Sequence, residues 1–374
     1  MFMDISSGMV QSLLPLFLVS SLGVSALGVG LIDGLAHAVA LGLKVFSGVI
    51  SDYTGKRKLL AVFGYALGAF SKPFFAVSGS ALEILSARIL DRVGKGLRSA
   101  PRDALVADIA PATMRGAAYG LRQAIDAFGA FIGPLIAIAL MFLWANDYRA
   151  VFWCATIPGV LAVLLLVVGV KEPKSQKKSV RTNPLTKKNI KRLGAPFYTV
   201  ILVSSLFALS RFSEAFLVLR AVETGVSPAL VPLVMVIMNL MYAMASYPFG
   251  SLSDRFSGSM LLAFGLTILA LAHSILASAD VWFVFMVGVM LWGVHMGVTQ
   301  GLLAKMVADS APEDIRGTAF GFFNFSQGIA FLIANILAGY MWDQHGSAVT
   351  FYIGICFSLI ACTTVIGMAY RSKM

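Results

Sequence analysis

The sequence predicts an all-α integral membrane protein, with about twelve transmembrane helices in two pseudo-symmetric six-helix bundles. Three observations lead there. Of 374 residues, 58% are hydrophobic and 13% charged, against roughly 45–50% and about 25% in a soluble domain. Apolar runs recur along the whole length, at about the 20 residues that a helix needs to cross a bilayer. The chain also repeats itself. "GVISDYTG" from Gly48 returns as "GSLSDRFSG" from Gly250, 202 positions later, and "DIAPATMRGAAYG" from Asp108 returns as "DSAPEDIRGTAFG" from Asp309, 201 positions later. Two matches at nearly one offset divide the chain into an N-terminal bundle, 1–170, and a C-terminal bundle, 196–374, joined by a linker at 171–195.

Read between turns and charges, the spans centre near residues 12, 36, 67, 95, 130, 160, 207, 240, 267, 293, 329 and 359. The first carries Asp4 close to its start. The second carries Asp33, with His37 four residues on, and ends in the turn "GVISDYTGKRK". The third begins after those basic residues, and the fourth is dense in charge. The fifth holds Arg122, Asp126 and "GAFIGP" from Gly129. The sixth runs into the segment 171–192, with nine Lys or Arg against one Glu. The seventh holds Arg211 and Glu214, and the eighth Asn239 and Tyr242 before the turn with Asp254 and Arg255. The tenth holds His295 and Gln300, the eleventh Asn324 and Asn335, and the twelfth ends in "RSKM".

Basic residues orient these spans. The turn 54–58, Arg115, the linker, Arg255, Arg316 and the tail fall on one side, and chiefly Arg149 and Arg220 on the other. Both termini are then expected in the cytoplasm, with the protein in the inner (plasma) membrane. The net charge of +11 is concentrated in the linker, as the positive-inside rule requires, so no nucleic-acid partner is expected. Cys154, Cys356 and Cys362 lack CxxC or CxH spacing, so neither a metal site nor a cofactor is expected.

The fourth span poses the functional question. "DRVGKGLRSAPRD", 91–103, lies between apolar stretches. At 100° per residue, Arg88, Arg92, Lys95 and Arg102 share one stripe, with Asp91 and Arg98 at its edge, in an arc of about 120°. A helix over 82–110 sets the middle of this set near mid-bilayer, where each charge facing lipid costs roughly 2.5–3.5 kcal/mol. The stripe is therefore expected to face protein or a water-filled cavity. Two readings stay open: a buried ion-pair network, or a basic wall for an anionic or carboxylate-bearing solute, which arginine binds bidentately.

The motifs resemble those of the major facilitator superfamily over essentially the whole chain. "GVISDYTGKRK", with Gly48, Asp52, Gly55, Lys56 and Arg57, is similar to that family's loop motif between spans two and three. The "RILDRVGKG" stretch from Arg88 resembles a span-four motif whose leading arginine is linked to proton coupling. "GAFIGP", with Gly129, Gly133 and Pro134 as its helix-packing residues, resembles the span-five motif of drug/proton antiporters. It departs at Ala137-Ile138, where the family often has a Gly pair, and span four departs at Arg92 and Lys95. The resemblance implies alternating access, with the two turns, Gly250, Asp254 and Arg255 included, acting as gates.

Proton coupling needs an acid whose protonation a nearby cation can tip. Asp126 with Arg122, at i, i+4, and Glu214 with Arg211, at i, i+3, fit that need, and Asp33 and Asp4 are further candidates. His295 and Gln300 are expected to line the same cavity as the basic residues. At the 201 offset Arg122 and Asp126 become Phe323 and Gln327, so charge is lost where architecture is kept. The resulting expectation is a monomeric, proton-coupled transporter of a small organic anion, with efflux by antiport favoured over proton-symport uptake of an organic acid or carboxylate-type iron chelate. No GxxxxGK[ST] loop supports an ATP-driven pump, and no GxSxG or HExxH supports an intramembrane enzyme. A channel is disfavoured by the gate-like turns and the uneven charge of the halves.

Overall fold

A computed structural model describes residues 1–54, 56–109, 115–170, 192–252, 256–312 and 315–371. In the N-terminal bundle the helices are α1 (Phe2–Gln11), α2 (Leu14–Ser20), α3 (Ala26–Thr54), α4 (Arg57–Val77), α5 (Ala81–Ile109), α6 (Arg115–Leu143) and α7 (Tyr148–Gly169). In the C-terminal bundle they are α8 (Ala195–Ser210), α9 (Ala215–Glu223), α10 (Leu233–Leu252), α11 (Gly258–Ser278), α12 (Trp282–Ser310), α13 (Arg316–His345) and α14 (Ser347–Arg371).

Eleven segments among the described residues are long and apolar enough to cross a membrane. They correspond to the expected spans except the fourth. That span, α5, is too charged to qualify on composition but runs unbroken for 29 residues, through Pro101. It spans as part of a bundle, with most of its charges turned to protein.

Two of the expected spans are not continuous helices. The first breaks between α1 and α2 at Ser12-Leu13, and the seventh between α8 and α9 at Arg211 to Glu214. Ser12 and Ser213 lie 201 positions apart, so the breaks are repeat-related. Interrupted helices at matching places of two halves are where transporters form solute and ion sites, because the freed backbone groups seek polar partners.

Glycines set the closest helix contacts. A Cβ on Gly94 would stand 2.6 Å from the Gly64 carbonyl oxygen, so α4 and α5 touch backbone to backbone. A Cβ on Gly133 would stand 2.6 Å from the Ile5 carbonyl oxygen, and one on Gly129 would stand 3.0 Å from Asp4 Cβ. Pro134 Cδ lies 3.1 Å from the Cβ position of Gly8. The span-five motif therefore seats α6 against α1. A Cβ on Gly250, by contrast, would meet nothing among the described residues within 4 Å.

The two arginines expected opposite the linker close helix ends. Arg149 donates to the Ala76 and Ser78 carbonyl oxygens, 3.0 and 2.8 Å, at the end of α4. Arg220 donates to the Leu276 and Ala279 carbonyl oxygens, 3.2 and 2.8 Å, at the end of α11. Each neutralises the negative pole of a helix with unsatisfied carbonyls. Ala76 and Ser78 correspond through the repeat to Ala277 and Ala279, so the same helix end is capped in both halves.

The bundles meet along α3 with α13 and α6 with α10. Gly30 and Gly34 face Asn335, Gly339 faces Ala26 and Leu27, and Gly328 faces Ala38. Asn239 of α10 donates to the Ala130 carbonyl oxygen at 3.4 Å. One turn beyond Ala38 and Gly328, toward the linker end, Leu41 and Asn324 already line a cavity. The halves are thus closed together at the end opposite the linker.

Candidate functional site

The cavity measures about 320 Å³ and lies on the linker side of the closed contact. His37 and Leu41 of α3 form one wall. Arg211 and Glu214 stand at the break of the seventh span, and Phe323, Asn324, Gln327 and Phe331 come from α13. The His37 ring lies against Phe331, centroids 4.4 Å apart. Arg211 donates to Glu214 Oε1 at 2.7 Å, so the pair expected from i, i+3 spacing forms, but across the helix break. Gln327 is tied to the Ser204 carbonyl oxygen at 2.6 Å. Such a site combines apolar rings with a few convergent polar groups, the usual make-up of a small-molecule pocket.

Just beyond the cavity, toward the closed end, one carboxylate joins the halves. Arg88 of α5 donates to Asp33 Oδ1 through Nε at 3.1 Å and also through its terminal nitrogen. The Ser213 hydroxyl, from the break in the opposite half, donates to Asp33 Oδ2. The Ser213 amide in turn donates to Asn335 Oδ1 at 2.9 Å. A chain of polar groups thus runs from α5 through α3 to the seventh span and α13.

The basic stripe of α5, for which a buried ion-pair network and a basic wall were both open, splits into separate environments, with Arg88, Arg92 and Arg102 beside carboxylates. Arg88, Arg92 and Arg98 are buried. Arg92 reaches Gln11 Oε1 at 3.4 Å and stands 3.8 Å from Asp91. Asp91 is held at 2.7 Å by Lys72 of α4, and both side chains are almost fully buried. Arg98 stacks over the Tyr65 ring at 5.0 Å, a contact worth about 2 kcal/mol when desolvated. Arg102 stands 3.3 Å from Asp126 and 3.5 Å from Asp103. Arg122 binds Asp103 rather than Asp126, so the i, i+4 pair expected within α6 is replaced by pairs between α5 and α6. Asp4, on α1, sits beside Gly129 of α6.

Lys95 differs from the rest of the stripe. It is exposed, and among the described residues no acidic oxygen lies within 4.0 Å of its ammonium. It lies two turns along α5 from Arg88, which holds Asp33 beside the cavity, and is not itself one of the residues that line the cavity.

Other expected residues fall elsewhere. His295 does not line the cavity: it is fully buried, its ring 5.5 Å from that of Phe207 and 6.3 Å from that of Trp292. The side chains of Gln300 and Asp52, and residues Gly55, Asp254 and Arg255, lie outside the described residues. Gly48 lies within α3 and Lys56 is exposed, while Arg57 donates to the Ala104 carbonyl oxygen at 3.3 Å. Among the described residues no group of three His, Cys, Asp or Glu side chains could hold a metal.

Sequence reasoning passed over Lys72, Gln11, Tyr65 and Ser213. A lysine alone in the apolar third span was the readable signal for Lys72, because a charge at that depth demands a partner. Ser213 was marked by its repeat partner, Ser12.

Comparison with known proteins agrees with this architecture. The chain is 32% identical over 369 residues to the MFS-type transporter MJ1317 of Methanocaldococcus jannaschii, covering 96% of this chain and 90% of that one. It is 24% identical over 374 residues to the quinolone resistance protein NorA of Staphylococcus aureus (strain COL), covering 98% and 94%. Its fold matches the crystal structure of the peptide transporter POT with a TM-score of 0.82 at 14% identity, over 99% of this chain and 92% of that chain. The family model of the Major Facilitator Superfamily matches residues 1–219 and 200–373. With two repeat-related halves that meet beside a cavity at the broken seventh span, the chain belongs to that superfamily of secondary transporters.

Proposed function

We propose that this protein is a proton-coupled exporter of small organic anions, acting by alternating access as a monomer in the plasma membrane. The linker and both termini lie on the cytoplasmic side in this reading, so the cavity is open to the cytoplasm. The observation that carries the anion preference is Lys95, an exposed cation inside the fourth span with no acidic oxygen of the described residues within 4.0 Å. An ammonium so placed gains most from a ligand that brings its own negative charge. The rings of Phe323, Phe331 and His37 suit the apolar body of such a solute, and Asn324 and Arg211 its polar end.

For the proton site we propose Asp33, because it holds a group from each half at once. Neutralising it weakens both contacts together and so favours separation of the halves. Asp126, Glu214 and Asp4 are secondary in this reading. The similarity to a quinolone resistance protein supports the export reading.

The experiment is reconstitution into liposomes under an imposed pH gradient, with internal pH followed by a dye. Organic acids should move protons opposite to themselves. Replacing Lys95 by Gln should lower transport of anionic solutes about tenfold or more and leave neutral ones nearly unchanged, which is the effect of roughly 1.4 kcal/mol or more at a charge-assisted contact. Equal losses for both classes would remove the anion reading, and absence of solute-dependent proton movement would remove the coupling.

A further inference from the structure

The start of α3 is held by the other half of the molecule. The first amides of a helix have no acceptor within it and need one from elsewhere. Ala26 donates to Asp343 Oδ1 and Leu27 to Asp343 Oδ2, each at 2.9 Å. Gly28 donates to Ser25 Oγ at 3.2 Å. Ser25 is a cap supplied from within the N-terminal bundle, whereas Asp343 stands near the end of α13 in the C-terminal bundle. Its carboxylate also meets the positive pole of α3.

Three further features fix the contact. A Cβ on Gly339 would stand 2.6 Å from the Ala26 carbonyl oxygen, so the two backbones touch one turn from the carboxylate. Trp342 is anchored beside Phe216, with ring centroids 5.6 Å apart, and holds the end of α13 in place. The arrangement is also one-sided. At the 201 offset the counterpart of Asp343 is Phe142 at the end of α6, and that of Ala26 is Ser227. The matching contact of α6 with the turn Pro228–Leu230 has no acid at this place.

We propose that Asp343 is a positioning residue for the transport cycle, a latch that holds shut the end of the protein opposite the linker. When the halves part there, the amides of Ala26 and Leu27 and the carboxylate exchange each other for water. That exchange belongs to one conformation only, so the latch sets the balance between the two states of the carrier whatever the solute or coupling ion. The inference stands apart from the reading of Lys95 and Asp33.

Distances across the closed end test it. Leu82 and Phe283 are exposed, lie at the starts of α5 and α12, and are repeat partners 201 positions apart. Spin labels on Leu82→Cys and Phe283→Cys, in a chain whose three native cysteines are replaced, report opening at this end. Asp343→Ala should enlarge the long-distance population roughly 2- to 30-fold, the range that losing an N-cap gives. Asp343→Asn, nearly isosteric and keeping one acceptor oxygen, should enlarge it less and preserves folding should the alanine variant not fold. Ser25→Ala removes a cap made inside one half and should leave the distances unchanged. An unaltered distribution in the Asp343 variants overturns the latch. An equal shift from Ser25→Ala overturns it too, because fraying of α3 alone would then suffice.

Discussion

Lys72 and Asp91 show how a charged pair becomes part of a membrane protein's interior. Lys72 donates to Asp91 at 2.7 Å and to Ser7 Oγ at 3.3 Å, tying α4 to α5 and α1. Removing one partner leaves the other buried without compensation, which typically costs about 3–5 kcal/mol. Lys72→Met should therefore lower the thermal midpoint of the detergent-solubilised protein markedly, and Lys72→Met combined with Asp91→Leu should recover much of the loss. At this scale the sequence was only partly legible. That α5 must turn its charges to protein or water followed from the energy of burying charge. Which acid met which base did not, because the partners come from other helices. Arg122 and Asp126 had ideal spacing on α6, yet each found a closer partner on α5. Local spacing makes a pair possible, and tertiary proximity decides it.

At the scale of elements, eleven spans were legible from apolarity and the twelfth from its position between them. The break in the seventh span was not. Arg211 and Glu214 read as neighbours on a continuous helix, and no Gly or Pro marks the interruption. The break is stabilised from outside, by Asp33 and Asn335, so its cause lies in helices far away in sequence. Helix contacts through glycine were more legible. Gly133 stood in a recognisable motif, and it does seat α6 on α1. Gly133→Leu would drive a side chain into the Ile5 backbone, and overpacking of this kind costs about 1–3 kcal/mol. The variant should show a lower thermal midpoint, whereas Gly250→Ala, where the space is open, should leave it unchanged.

For the whole molecule, the repeat announced the architecture, and the chemistry departs from it. Through the 201 offset Lys72 becomes His273, Asp91 becomes Trp292, Arg102 becomes Leu303 and Asp126 becomes Gln327. His273 and Trp292 occupy the place of the ion pair as an edge-on ring contact, centroids 5.2 Å apart. At these four positions the two halves share a scaffold while one holds charged side chains and the other aromatic, apolar or uncharged polar ones. Their boundary is expected at the linker, 171–195. Since α3–α13 and α6–α10 hold the halves together, a protease site placed inside 171–191 should yield two fragments that copurify and still transport. Fragments that separate in mild detergent would show that the linker itself maintains the assembly.

The position of Lys95 has an electrical consequence. Among the described residues no acidic oxygen lies within 4.0 Å of this cation, and the other half has no cation at the matching place: its repeat partner is Met296. When that half rocks, the charge is carried some way through the transmembrane voltage, which is worth about 2.3 kcal/mol per elementary charge for a full crossing at 100 mV. On the reading proposed above, the empty carrier feels the voltage when it reorients and an organic anion bound at Lys95 cancels that pull, so loaded and empty molecules would return across the membrane at rates that voltage sets differently.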